Sequence, residues 1–217
     1  MVLLISEISL PLAIEDILLV IFFAAGLYFV AKTVARECSI CGSLAYLGGV
    51  LITIGGALKV GWKLILATTG NDVAWLNNGM FAWMSAGFIC LAWALWRSRK
   101  VNSPVFWAAV PVILIAATLG SAAYNASGRE TRAWFFILLG VTTLFNLLVS
   151  LQLVRRSYDV GNWIALALFV FNLACVFSLA AVSDQTVTLQ WIKQITNTLS
   201  QLAFAIAAWR LYSSIFR

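Results

Sequence analysis

Residues 133–154 read AWFFILLGVTTLFNLLVSLQLV, twenty-two positions without a charge, closed by Arg155-Arg156. As a helix rising ~1.5 Å per residue, a run of this length crosses a hydrocarbon core of ~30 Å. It is too long, and too rich in Leu and Phe, for a barrel strand, which alternates over ~10 residues. Working outward, four more uncharged runs have spanning length: 38–58, 73–96, 101–128 and 160–183. Two shorter runs, 17–31 and 194–209, reach it only if Glu15 and Asp16 are admitted to the first and Lys193 to the second.

The reading is therefore an all-α, polytopic bundle of seven transmembrane helices. Their expected bounds are roughly 13–35, 44–68, 73–97, 104–124, 132–154, 161–183 and 187–211. The whole composition agrees. Of 217 residues, 63% are hydrophobic and 10% charged, with a mean hydropathy of +0.97. Soluble domains carry about 25% charged residues, so a soluble enzyme, a disordered tail and a secreted disulfide module are all excluded. All connections are short, so residues 1–217 form a single integral membrane domain, expected in a plasma (inner) membrane. The opening MVLLISEISLPLAIED lacks a basic n-region, so no cleaved signal peptide is expected.

Basic residues in short connections set the orientation. One side receives Lys32, Arg36, Arg97, Arg99, Lys100, Arg155, Arg156, Arg210 and Arg217, against only Glu37 and Asp159. The other receives Arg129 and Arg132, with Lys59, Lys63 and Lys193 inside helix ends, and six of the eight acids. With seven crossings this puts the N-terminus outside and the C-terminus in the cytoplasm. The net charge of +6 belongs to cytoplasmic helix ends facing anionic lipid, and no nucleic-acid partner is implied.

Polar groups inside the bilayer need a reason. On helix 7, Gln190, Lys193, Gln194, Asn197 and Gln201 recur at steps of three and four, forming one stripe. The stripe gives way to the apolar stretch Leu202–Ala208. Helix 2 places Lys59 and Lys63 on one face, helix 3 begins with Asn77-Asn78, and helix 5 offers Arg132, Thr143 and Asn146. Glu15 and Asp16 on helix 1, with Arg132, are the expected charge partners. Nearly all these groups fall in the outer half. They imply an outward-facing polar cavity above an apolar plug, net positive, suited to a small anionic or zwitterionic solute or ion.

Taken singly, the lysines are also accounted for by snorkelling and the amides by interhelical hydrogen bonding. The function expected is non-enzymatic transport, as a channel or carrier. The alternatives are a structural or assembly subunit of a larger membrane complex and a seven-helix ligand- or chromophore-binding receptor. Small-residue faces such as Ala45-x-x-x-Gly49 and Ala57-x-x-x-Gly61 on helix 2 suit a close helix neighbour or an oligomer.

Other motifs carry less. With no histidine in the chain, Cys38-Ser39-Ile40-Cys41 lacks the ligands for zinc and reads as two reduced thiols in a loop; no metal or cofactor is expected. Asp72-Val73-Ala74-Trp75 and Asp159-Val160-Gly161-Asn162-Trp163 open helices 3 and 6 alike, which would suit an inverted repeat of three helices.

Two families share the helix count. Microbial rhodopsins share the topology, but Lys193 lies too near the outer end of helix 7 for their retinal lysine, and helix 3 has no acid. Ile54-Gly55-Gly56-Ala57-Leu58-Lys59 is similar to the glycine-triplet-then-arginine segment of the trimeric intracellular cation channels. It has two of the three glycines, Val60 in place of the following acid, and no second copy on helix 5. If real, it would imply a pore at a helix 2 kink beside Lys59. Neither family is adopted.

Overall fold

The structure, a computed structural model, describes residues 10–99, 109–126, 132–181 and 187–215. They form seven helices: α1 Leu10–Glu37, α2 Ser39–Thr69, α3 Ala74–Ser98, α4 Ala109–Ala126, α5 Ala133–Asp159, α6 Trp163–Ala181 and α7 Val187–Ser214. Five of them, α1 to α5, are long and apolar enough to cross a membrane; α6 offers a shorter apolar stretch, Trp163–Leu179. The molecule is an all-helical bundle of the integral membrane kind. Large apolar side chains cover its outside, among them Ile14, Ile21, Val50, Ile113, Phe136, Ile164 and Ile195, as a lipid solvent requires.

Helices α1, α2, α3, α5, α6 and α7 contact in that order and close into a ring, while α4 packs outside against α3 and α5. Only Pro111 and Ala122 of α4 are buried. An inverted repeat would give α1 and α4 equivalent places. One lies within the ring and the other outside it, so the two three-helix units are arranged differently.

Between helices in a membrane the attraction is close packing rather than release of water. Glycine provides it where α2 crosses α3. A Cβ on Gly48 would sit 2.7 Å from the Gly87 carbonyl oxygen, and one on Gly55 2.8 Å from that of Met80. A Cβ on Gly61, by contrast, would meet nothing within 4 Å among the described residues.

The basic ends are joined by charge. Arg156, 2% exposed at the end of α5, donates from Nη1 to both Glu37 carboxylate oxygens (2.9 and 2.8 Å), and from Nη2 to the Leu95 carbonyl (2.7 Å) and the Ser98 hydroxyl. One guanidinium thus ties the ends of α1, α3 and α5. Arg99 pairs with Asp159 at 2.9 Å beside it. At the same end Asn162 caps α6, its Oδ1 accepting the Ala165 N–H at 3.0 Å while its amide donates to the Arg210 carbonyl of α7 at 3.2 Å. Asn162→Ala should cost about 1 kcal/mol, read as a lowered thermal midpoint in detergent.

The stretch Cys38–Cys41 departs from its expected form in two ways. It is no loop: Cys38 is the one non-helical residue between α1 and α2, and Cys41 lies in the first turn of α2. Its cysteines are not reduced thiols either, for they form a disulfide. The cause is Gly42, where a Cβ would lie 2.4 Å from Ala35 Cα; without it the two helices meet directly off a one-residue turn. Cys38, extended at φ −153° and ψ 110°, then carries its sulfur over the start of α2.

Candidate functional site

At the end of the bundle opposite Arg156, three helices place polar groups at one depth. Asp16 is about two turns into α1, Lys63 about two turns before the end of α2, and Gln194 about two turns into α7. The helix directions make these positions coincide. Lys63 Nζ forms an ion pair with one Asp16 oxygen, and the Gln194 amide donates to the other. The Asp16 and Lys63 side chains are only 9% and 14% exposed, and a carboxylate so placed needs both a counter-charge and a donor. Glu15, beside it, is half-buried, and its Oε2 is buried without a hydrogen bond among the described residues.

Lys59 sits deeper, about 15 Å along α2 from Thr69. It shares its face of α2 with Ile52 and Leu66, each two turns away, and those are 1% and 5% exposed. The lipid-facing side of α2 is a different one, carrying Leu47, Val50, Ile54 and Ala57. Lys59 therefore points into the bundle, yet it is exposed. Lys63, four residues on, lies on the same side of α2.

Helix α7 turns its polar side to the same interior. Its exposed apolar side is Ile192, Ile195, Leu199, Ile206 and Trp209, so the polar stripe faces inward. Along one inward line, Gln190 and Asn197 are half-buried, whereas Phe204 and Leu211, the next residues on that line, are 4% and 0% exposed. Asn197 is about 15 Å from the start of α7, level with Lys59. Lys193 is half-buried on the same side. Gln201 is buried, its Oε1 without a hydrogen bond among the described residues.

Below this level the interior is filled by aromatic rings. Phe23 of α1 meets Phe204 of α7 edge-on at 5.3 Å and Phe88 of α3 at 6.4 Å, and Phe169 of α6 meets Phe204 at 5.7 Å. The contiguous core continues from there toward the Arg156 end through Leu27, Val34, Leu91, Leu95, Leu153 and Leu211. The largest fully buried side chains lie toward the basic end.

Several expected site residues lie elsewhere. Arg132 is the exposed residue preceding α5, and Thr143 is exposed along it. Asn146 and Asn78 are half-buried on α5 and α3. None of the four belongs to the Asp16 cluster. Asn172 is an interhelical link, donating to the Ser200 carbonyl (3.0 Å) and hydroxyl (2.7 Å). A separate groove of about 280 Å³ on the lipid side of α1 and α2 is lined by Leu27, Tyr28, Tyr46, Val50 and Ile54, and is apolar.

Sequence reasoning missed Arg156 as an internal group, treating it with Arg155 as an interfacial charge. The signal was spacing: Val149, Leu153 and Arg156 share the buried face of α5, while Arg155 falls on the exposed one. The chain matches no protein family, no curated protein and no solved structure.

Proposed function

We propose that this is a membrane transport protein, a channel or carrier for a small anionic or zwitterionic solute or ion. The observation that carries the reading is Lys59, an ammonium with an open surface on the inward side of α2, level with Asn197 of α7. Water or a hydrated solute is the natural partner of a charge so placed, since hydrocarbon would exact several kcal/mol. Lys63 and Asp16 offset each other, which leaves Lys59 as the charge on the inward side of α2. That balance favours a guest carrying negative charge. The phenylalanine cluster supports a state closed on the basic side.

In this reading all seven helices span, the N-terminus is outside, and the basic end faces the cytoplasm of a plasma membrane. The exposed Trp75 at one end and Trp163 and Trp209 at the other suit interfacial anchoring. A second reading, a subunit of a larger membrane assembly, is favoured by α4, which lies outside the ring with ten of its eighteen residues exposed.

The test is flux of small anions and amino acids into vesicles containing the purified protein. Lys59→Cys, treated with an impermeant anionic thiosulfonate from the Asp16 end, should lose most of its flux; Phe204→Cys should be indifferent to the reagent. Absence of flux from the unmodified protein, or a Lys59→Cys thiol that never reacts, refutes the transport reading.

A further inference from the structure

Cys38 and Cys41 are not symmetric. Cys38 is half-exposed and caps α2, whereas Cys41, in the first turn, is 2% exposed. The backbone N–H of Cys41 points at Cys38 Sγ, 3.3 Å away. Two features therefore favour negative charge on Cys38 Sγ once the disulfide opens. A backbone donor is already in place, and the N-terminus of a 31-residue helix lies beneath it. The surroundings add to this. The nearest acid in sequence, Glu37, is engaged by Arg156. Ser39 and Ile40, between the cysteines, are exposed, Ile40 at 79%, so a reactant can reach the sulfur.

From this geometry we infer that Cys38–Cys41 is a reversible thiol–disulfide exchange site that takes electrons from a dithiol through Cys38. One thiolate of the dithiol attacks Cys38 Sγ. The Cys38–Cys41 bond breaks, and its electron pair goes to Cys41 Sγ, which takes up a proton. The second thiol of the donor loses its proton and attacks the donor sulfur of the mixed disulfide, expelling Cys38 as a thiolate. The donor leaves as a disulfide, and the protein holds two reduced sulfurs and two more electrons. Access selects Cys38 as the sulfur attacked, because Cys41 is closed off by the packing of α1 on α2. A disulfide serving only as a staple would have little to add here, since the loop it closes is already fixed by the first turn of α2. This inference is independent of the transport reading.

The experiment uses the unmodified full chain in nanodiscs, with each cysteine followed by peptide mass spectrometry. Dithiothreitol should reduce the pair within minutes in the folded protein, and oxidised dithiothreitol should restore it. In the reduced protein at pH 7, iodoacetamide should alkylate Cys38 about tenfold faster than an ordinary thiol of pKa ~8.5 and faster than Cys41. A Cys41→Ser variant should accumulate a mixed disulfide at Cys38 with an added aromatic disulfide. A pair that opens only after the bundle is unfolded, or a Cys38 no faster than an ordinary thiol, would overturn the inference and leave a structural disulfide.

Discussion

Glu37→Ala should lower the stability of the folded bundle by about 3–5 kcal/mol, and Arg156→Met should lower it by less. The two changes break the same ion pair but leave different remnants. Without Glu37, the Arg156 guanidinium stays in place with its side chain 3% exposed, its charge uncompensated among the ends of α1, α3 and α5. Without Arg156, the remnant is Glu37, whose side chain is 28% exposed and reaches water at the rim. The Leu95 carbonyl and Ser98 hydroxyl lose a donor in the second case, which costs about 1–3 kcal/mol. The double variant Glu37→Ala/Arg156→Met should recover part of the loss, because the desolvated charge is gone. Thermal or denaturant unfolding in a fixed detergent reads all three. Equal losses from both single variants would mean that burial of the guanidinium does not govern the pair.

The second large effect belongs to the crossing of α2 and α3. A Cβ at Gly87 would fall 2.7 Å from the Gly48 carbonyl oxygen and 2.9 Å from the Ile52 nitrogen, and both are backbone atoms that no rotamer change can move. Overfilling a packed interior ordinarily costs about 1–3 kcal/mol, and Gly87→Val should reach the upper end because the helices must separate to admit it. Gly61→Ala is the matched control on α2. With nothing within 4 Å of its Cβ among the described residues, it should leave the midpoint unchanged or raise it slightly through the better helix propensity of alanine. If Gly87→Val were tolerated like Gly61→Ala, the close approach of α2 and α3 would not hold the bundle together.

The helices were legible because lipid imposes a simple rule on each segment separately: an uninterrupted apolar run must hydrogen-bond its own backbone. The uncharged run 133–154 therefore appears as α5, extended at its C-terminal end to Asp159 by residues a charge-gap criterion excludes. The polar stripe of α7 was legible for the same reason, since Gln190, Gln194, Asn197 and Gln201 share a face at any helical register. Which of them meets a partner was not. Gln194 reaches Asp16 while Asn197, one turn on, stays half-buried, and that difference depends on how α1 and α7 are set against each other. Arg155 and Arg156 make the same point at the other end. Adjacent and chemically identical, they part because successive helical residues point ~100° apart, one outward and one into the junction.

The amino-acid sequence by itself determined that the chain is a helical membrane bundle, where its apolar helices run, and which sides of them are polar. These are properties of single segments in a given solvent. Only the tertiary structure decided that Asp16, Lys63 and Gln194 meet, that α4 stands outside the ring, and that Cys38 and Cys41 are joined. Each of these depends on the distance between helices. That distance is set by glycines and rings at the crossings, whose effect exists only once two helices are side by side.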